Sequence, residues 1–309
     1  MKIIKCGGSS LKKYEERVKI YNHIKELNDK VILVVSAFND CPYSTNSLRK
    51  LIENNYTYYM QEELLACGEI ISSIRVCNEL LNNYIDAALI YKEEVGIYVS
   101  SSNQTDEILS LDKTYIEDKI SKHQVVVVPG FIGINQDNKI VTLNKNGSDL
   151  TAVLIAKMFD IKEVTLFKDV LGLSSIDPLL SSNYKLYKSV SYELMSQIVM
   201  HGSNLIQHQA IKIAKENDIN IKIVHYLSKN YETVISKFSN EKIIVFQKNE
   251  NNIYIEGFVN KDLIENKMIL NNVDYEYILP FSSYLKIVCN NNVDDTLQSL
   301  HKMYLKGEL

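Results

Sequence analysis

Short apolar runs alternate with amphipathic stretches along most of the chain. The runs at 2–5, 31–36, 87–90, 125–128, 164–167 and 221–224 predict strands. The stretches at 11–27, 44–54, 60–82, near 112–122, 148–159, 191–199 and 203–217 predict helices. Residues 125–128 are all valine, the pattern of a strand covered on both faces. Polar residues 135–139 separate 132–134 from 140–143 and predict a hairpin. Ser148 and Asp149 are suited to cap the helix that they open. This alternation predicts an α/β sandwich with a mostly parallel sheet.

The chain turns polar across 226–241, which places a boundary there. Beyond it the pattern reads strand (242–247), strand (252–258), helix (260–270), strand (274–280), strand (284–289) and helix (293–305). That order predicts a small α+β unit, so the expected division is 1–228 and 241–309.

Composition narrows the classes without naming one. The chain has 309 residues, 46% hydrophobic and 23% charged, with a net charge of −4. Such a balance argues against a nucleic-acid-binding surface. No apolar run reaches the length of a membrane span. The five cysteines show no zinc spacing and no secretory leader pattern precedes them, so reduced thiols in the cytoplasm are expected. Cys6 reads as a packing residue, because no base stands beside it.

The richest chemistry lies at the start. A short strand delivers Lys5-Cys6-Gly7-Gly8-Ser9-Ser10 immediately before a helical stretch. Glycines let backbone N–H groups approach an anion, and a lysine adds a point charge suited to phosphate. Further small or polar segments come in order: Val34-Val35-Ser36-Ala37, Thr45-Asn46, Cys67-Gly68-Glu69 and Gly130-Phe131-Ile132-Gly133. Then come 142–152, which includes Lys145, Gly147, Ser148 and Asp149, and Phe167-Lys168-Asp169-Val170-Leu171-Gly172, with Asp177-Pro178 beyond. Singly, most of these read as strand ends, caps and turns. His201 and His208, seven apart on an expected helix, read as packing or surface residues rather than metal ligands; no metal site is expected from protein side chains.

Taken together and in order, these segments resemble the amino acid kinase superfamily, and aspartate kinases within it, over about 1–228. The family's Lys-Phe-Gly-Gly-Thr-Ser, Val-Val-Ser-Ala, Thr-Asn, Gly-Glu and Gly-Phe-Ile-Gly elements all have counterparts here. So, with changes, do its Gly-Gly-Ser-Asp and Thr-Asp-Val elements. The resemblance implies a three-layer sandwich and transfer of the ATP γ-phosphoryl to a carboxylate, that of L-aspartate first. Lys5, Gly7, Gly8 and Asp149 would be catalytic. Ser36, Thr45, Glu69, Lys145 and Ser148 would bind the acceptor. Lys5, Gly7, Gly8, Ser9, Lys168, Asp169 and Asn204 would face the nucleotide, and Mg²⁺ would be held mostly by phosphates and water. The region after 241 resembles one regulatory ACT-type module, implying a feedback amino acid or a homodimer interface.

Departures from the family pattern concentrate on the nucleotide side. Lys145 stands for an arginine, losing its bidentate fork. Asn144 and Asn146 replace two glycines, which is expected to limit that loop's backbone. Ser174 and Leu179 replace a tyrosine and an arginine, and Asn204 replaces a lysine. Lys168 replaces a threonine and would restore a charge from another direction. A non-catalytic ligand-binding or regulatory relative, and a kinase for another amino or carboxylic acid, are the alternative readings.

Overall fold

The computed structural model describes residues 1–100, 107–144, 146–257, 259–271, 273, 275–289 and 292–309. Two compact units form, Met1–Val170 with Ile213–Glu232, and Leu171–Lys212 with Thr233–Leu309.

The first unit runs β1 (Lys2–Cys6), α1 (Tyr14–Glu26), β2 (Val31–Val35), α2 (Thr45–Arg49), α3 (Tyr58–Asn82), β3 (Ala87–Leu89), β4 (Ile97–Val99), β5 (Ile108–Leu111), α4 (Thr114–Lys122), β6 (Val125–Pro129), β7 (Ile132–Ile134), β8 (Ile140–Thr142), α5 (Gly147–Met158) and β9 (Glu163–Lys168). The second unit takes β10 (Leu173–Ser174), β11 (Leu186–Tyr187), β12 (Ser189–Ser191) and α6 (Tyr192–Met200). Helix α7 (His208–Glu216) leads back to β13 (Asn220–His225) of the first unit, and β14 (Ser228–Ser236) leads out again. The chain ends with β15 (Val245–Asn249), β16 (Asn252–Glu256), α8 (Lys261–Leu270), β17 (Tyr277–Pro280), β18 (Tyr284–Val288) and α9 (Val293–Leu305).

Within the first unit the strands order β13-β9-β1-β2-β6-β3, and the pairs β1–β2, β1–β9, β9–β13, β2–β6 and β3–β6 are parallel. Side chains alternate across a strand. Ile4 and Cys6 of β1, with Val31, Leu33 and Val35 of β2, therefore enter one core layer with Ile20, Tyr21 and Ile24 of α1 and Val76, Cys77 and Leu80 of α3. The other face of β1 carries Ile3 and Lys5, and α5 packs against β1, β2 and β9. The result is the expected α/β sandwich on a mostly parallel sheet. The expected hairpin also forms, with Ile132 opposite Thr142, in a small separate sheet ordered β5-β4-β7-β8.

A buried ion pair ties α1 to α3. Arg17 Nε and Nη2 donate to the two Glu79 oxygens at 2.7 and 2.8 Å. Its Nη1 donates to the Leu11 carbonyl at 2.7 Å, and the Tyr21 hydroxyl donates to Glu79 at 2.8 Å. The guanidinium thus fastens the segment after the glycine turn to the helix that bears Glu69.

In the second unit, β15-β16-β18-β17 form an antiparallel sheet covered by α8 and α9 around Phe246, Ile255, Met268, Leu285 and Leu297. This is the expected α+β pattern. The unit reaches further back along the chain than residue 241. Ile176 enters its core, and the Ser175 carbonyl accepts from Phe246 N–H at 2.8 Å. The Tyr187 hydroxyl donates to the Ile244 carbonyl at 2.7 Å.

Some elements differ from the sequence reading. The helix expected over 203–217 starts at His208, because Gly202 breaks the chain with φ 128° after α6. His201 closes α6 and His208 opens α7, so the two do not share a helix. Residues 44–54 form only the short α2, capped by Ser44, whose Oγ accepts from Ser47 N–H at 3.2 Å.

Removing the Glu79 carboxylate strands a buried guanidinium, so Glu79→Ala is expected to cost about 3 kcal/mol of stability. Denaturant unfolding measures this, and a loss under about 1 kcal/mol would contradict the role given to the pair.

Candidate active site

The alternation that points Cys6 into one layer points Lys5 into the other. Lys5 pairs in register with Leu166 of β9, so Leu166 and Lys168 share its face. Both lysines therefore emerge at the carboxyl ends of adjacent parallel strands, where α/β sheets open their ligand crevice. Asp149, in the first turn of α5, meets them. Lys5 Nζ lies 2.7 Å from Asp149 Oδ1, and Lys168 Nζ lies 2.8 Å from Oδ2 and 3.1 Å from Oδ1.

Asp149 is 0% exposed. Burial pushes its carboxyl up, but Lys168 and Lys5 outweigh that and hold it below the ordinary carboxylate range. The helix N-terminus adds in the same direction. Burial drives the Lys168 ammonium down to about 8; Asp149 opposes the fall and Lys5 adds to it. Two cations share one anion, so the cluster carries an excess positive charge. This donor set has the chemistry to accept a polyphosphate, which would supply negative charge.

The glycine turn packs closely against the strand ends around it. The Gly7 N–H donates to the Phe167 carbonyl at 3.3 Å, so it is engaged within the protein. A Cβ on Gly8 would sit 2.2 Å from the Ala37 carbonyl oxygen. The Asn39 N–H donates to the Gly8 carbonyl at 3.1 Å. Gly8 thus permits close packing of the turn on the segment after β2. The Ser10 hydroxyl donates to the Gly7 carbonyl at 2.7 Å and braces the turn, while Ser9 beside it is half-buried.

A second buried carboxylate stands on α3. The Ala37 N–H donates to Glu69 Oε1 at 3.3 Å, and the Thr45 side chain also hydrogen-bonds Glu69. Its Oε2 is buried without a partner among the described residues. Burial pushes this carboxyl up to about 8, against the Ala37 N–H and the charge of Lys5. An ammonium group would satisfy the orphaned oxygen and offset the burial. Thr45 opens α2, half-buried, and Ser36 ends the β2 segment with its N–H donated to the Cys6 carbonyl at 3.2 Å.

Ser148 is buried against Gly130, where a Cβ would meet Ser148 Cβ at 2.6 Å. The glycine after β6 is thus set by the entry of α5. Asn146 adopts φ 65°, ψ 23°, a left-handed conformation that asparagine tolerates, so the replacement of glycine does not block this turn. Phe131 holds φ 67°, with its N–H donated to Thr151 Oγ1 at 3.0 Å. Nothing in the Gly-Phe-Ile-Gly spelling announces that strain. Lys145 lies outside the described residues.

The remaining expected nucleotide residues fall in both units. Asp169 is exposed in the chain just after Lys168, whose charge it influences. Asn204 is exposed in the second unit, before α7. In that unit Ser174 Oγ donates to the Ile176 carbonyl at 2.6 Å, Leu179 is 93% exposed, and the Asp177 carboxylate accepts from Leu179 N–H at 2.9 Å in a turn. Cys6 is buried and its thiol is pushed up to about 12 by burial, which makes it inert.

Residues 1–225 match the sequence profile of the Amino acid kinase family. The chain belongs to this family. Aspartokinase 1 of Bacillus subtilis (strain 168) is 29% identical over 253 residues, which are 79% of this chain and 63% of the relative. Aspartokinase 2 of the same organism is 25% identical over 84% of this chain and 62% of its own length, so the chain spans under two thirds of either. Aspartate kinase Ask_LysC of Stutzerimonas stutzeri is 23% identical, over 96% of this chain and 77% of its own. Among solved structures, E. coli aspartokinase III in complex with aspartate and ADP aligns with a TM-score of 0.67 at 16% identity, covering 100% of this chain and 84% of that one. UMP kinase from Ureaplasma parvum aligns with a TM-score of 0.54 at 17% identity over 76% of this chain and 97% of its own. These structural likenesses establish the fold of the family. No helix among the described residues is long and apolar enough to cross a membrane.

Glu69 keeps its proton in the folded state up to about pH 8, whereas the unfolded chain loses it near the ordinary value of 4.5. Stability falls as pH rises between these values, because the native state binds the extra proton. Glu69→Gln has no proton to lose. Its melting temperature is expected to gain on the parent's between pH 5 and pH 8, on the order of 5 °C; a constant difference across that range would contradict the assignment.

Proposed function

We propose that this chain is an ATP-dependent aspartate kinase. A side-chain carboxylate oxygen of L-aspartate attacks the γ-phosphorus, the bond to the β-phosphate oxygen breaks, and an acyl phosphate and ADP result. The observation that carries this reading is the excess positive charge around buried Asp149, built from Lys5 and Lys168. Phosphoryl transfer asks chiefly for positioning and charge neutralisation, which such a cluster provides.

In this reading Lys5 neutralises charge on the transferring group, and Asp149 orients both lysines. Lys168 takes over the nucleotide-side charge that Asn204 does not supply, with Asp169 on the same side. Ser9 and the turn of Gly7 and Gly8 shape the wall beside the phosphates, chiefly through the close packing of Gly8. Bound Mg²⁺ supplies further charge neutralisation on ATP oxygens. Glu69 receives the ammonium of the acceptor, and Ser36, Thr45 and Ser148 supply hydroxyls. We assign Lys145 to the acceptor's second carboxylate on its sequence position and charge alone.

The names of the Bacillus and Stutzerimonas relatives support aspartate as acceptor, and the bound aspartate and ADP named for the E. coli structure agree with the two ligands. We assign catalysis to 1–228 and an ACT-like role to 241–309, either binding a feedback amino acid or forming a homodimer, in a cytoplasmic enzyme of amino-acid biosynthesis such as lysine formation. A second reading, a binding or regulatory relative without turnover, draws on Ser174, Leu179 and Asn204 at the expected nucleotide positions.

ADP release from Mg-ATP with L-aspartate, set against a panel of amino acids, tests the proposal. Turnover with aspartate is expected, lost in Lys5→Ala, with a Michaelis constant for ATP raised about ten-fold in Lys168→Ala. Binding without turnover for every acceptor would favour the second reading.

A further inference from the structure

Helix α3 carries a second buried carboxylate seven residues before Glu69. Glu62 is 9% exposed, and its Oε2 accepts from the Thr142 N–H at 2.5 Å and from the Thr142 hydroxyl at 2.6 Å. Seven residues are about two helical turns, roughly 10 Å along the axis, so Glu62 and Glu69 stand on one side of α3.

The neighbours of Glu62 on that side serve the same hairpin. The Tyr59 hydroxyl accepts from Asn135 Nδ2 at 3.2 Å, at the turn end of β7. Ala66 packs in a core with Ile132, Ile134 and Ile140. An apolar side chain at 62 would extend this seam without the cost of burying a charge. The carboxylate instead holds the last residue of β8 at a defined point, through two donors of one residue.

The acceptor loop begins directly after Thr142. The Leu143 N–H donates to the Phe131 carbonyl at 2.8 Å, Asn146 makes the left-handed turn, and α5 begins with Gly147, Ser148 and Asp149. Glu62 is thus the side-chain tether at the entry to this loop, and α3 is a common support for the loop and for Glu69.

We infer that Glu62 is a positioning residue for the amino-acid acceptor. By fixing Thr142 it sets the spacing between Glu69, which takes the ammonium, and the start of α5, where Ser148 offers the acceptor a hydroxyl. The inference rests on the kinase reading for its acceptor and on the Glu62–Thr142 geometry for its tether. Sequence reading passes over Glu62 because it is one of two adjacent glutamates on a helix, and only the hairpin's register shows which one is buried.

Hydrogen exchange and steady-state kinetics on Glu62→Ala, Glu62→Gln and Thr142→Val test it in the full chain. In Glu62→Ala, exchange at the Thr142 amide and at residues 143, 144 and 146–149 is expected to accelerate while β1 stays protected. The Michaelis constant for the amino acid should rise about ten-fold and that for ATP should change less than about two-fold. Glu62→Gln keeps an oxygen that accepts from both donors and should recover most of both readouts. Thr142→Val removes one donor, keeps the fold's apolar volume and should shift both readouts in the same direction by less. Unchanged exchange in Glu62→Ala, or equal changes in the two Michaelis constants, would overturn the inference. If the parent turns over no acceptor, the kinase reading fails and takes the acceptor role with it; exchange then decides the tether by itself.

Discussion

The site depends on one buried carboxylate shared by two lysines. Burial pushes the Lys168 ammonium down and Asp149 opposes that, while the two lysines hold the buried Asp149 carboxyl below its ordinary range. The pairing is possible because two adjacent parallel strands point every second side chain at the same helix. It leaves two cations on one buried anion, with the exposed Asp169 carboxylate acting on Lys168 as well. A fold selected for stability alone would pair those charges or replace them with apolar side chains. The surplus is the physical signature of a group awaiting an anion.

Glu69 is the counterpart of opposite sign. It is a buried carboxylate with one unpartnered oxygen, pushed toward its neutral form by burial. The first unit therefore offers a cationic centre and a buried carboxyl that an arriving ammonium would ionise, each incompletely satisfied among the described residues. In the proposed reaction a polyphosphate and an amino acid would complete them. The Arg17–Glu79 pair and the Glu62–Thr142 tether hold the elements that bear these groups, so stability and site geometry share the same helices, α1 and α3.

Much of this was legible in residue order. The strand at 2–5, the valine strand, the hairpin at 132–143 and the helix near 148–159 arise from local periodicity. Ser148 and Asp149, expected as caps, instead lie inside α5, whose N-cap is Asn146 without a side-chain cap. Family membership was legible in the order of short motifs. The convergence of Lys5 and Lys168 on Asp149 was not legible, because it needs the register of β9 against β1, strands far apart in the chain. Gly7 and Gly8 looked like a phosphate cradle, yet tertiary packing engages the Gly7 N–H with Phe167 and makes Gly8 a close-approach residue. The short strands β10 to β12 lie in a stretch rich in Ser, Tyr and Lys and carry no periodic signal. Their residues join the second unit through Ile176, Ser175 and Tyr187, which no local pattern announces.

The central claim is that the two centres together pass a phosphoryl group to an amino-acid carboxylate. The most direct measurement traps the product. Hydroxylamine added to the chain with Mg-ATP and L-aspartate converts an acyl phosphate to a hydroxamate. The account predicts hydroxamate that depends on ATP and on Lys5. ATP bound at this site with no hydroxamate from aspartate or any other acidic amino acid would contradict it.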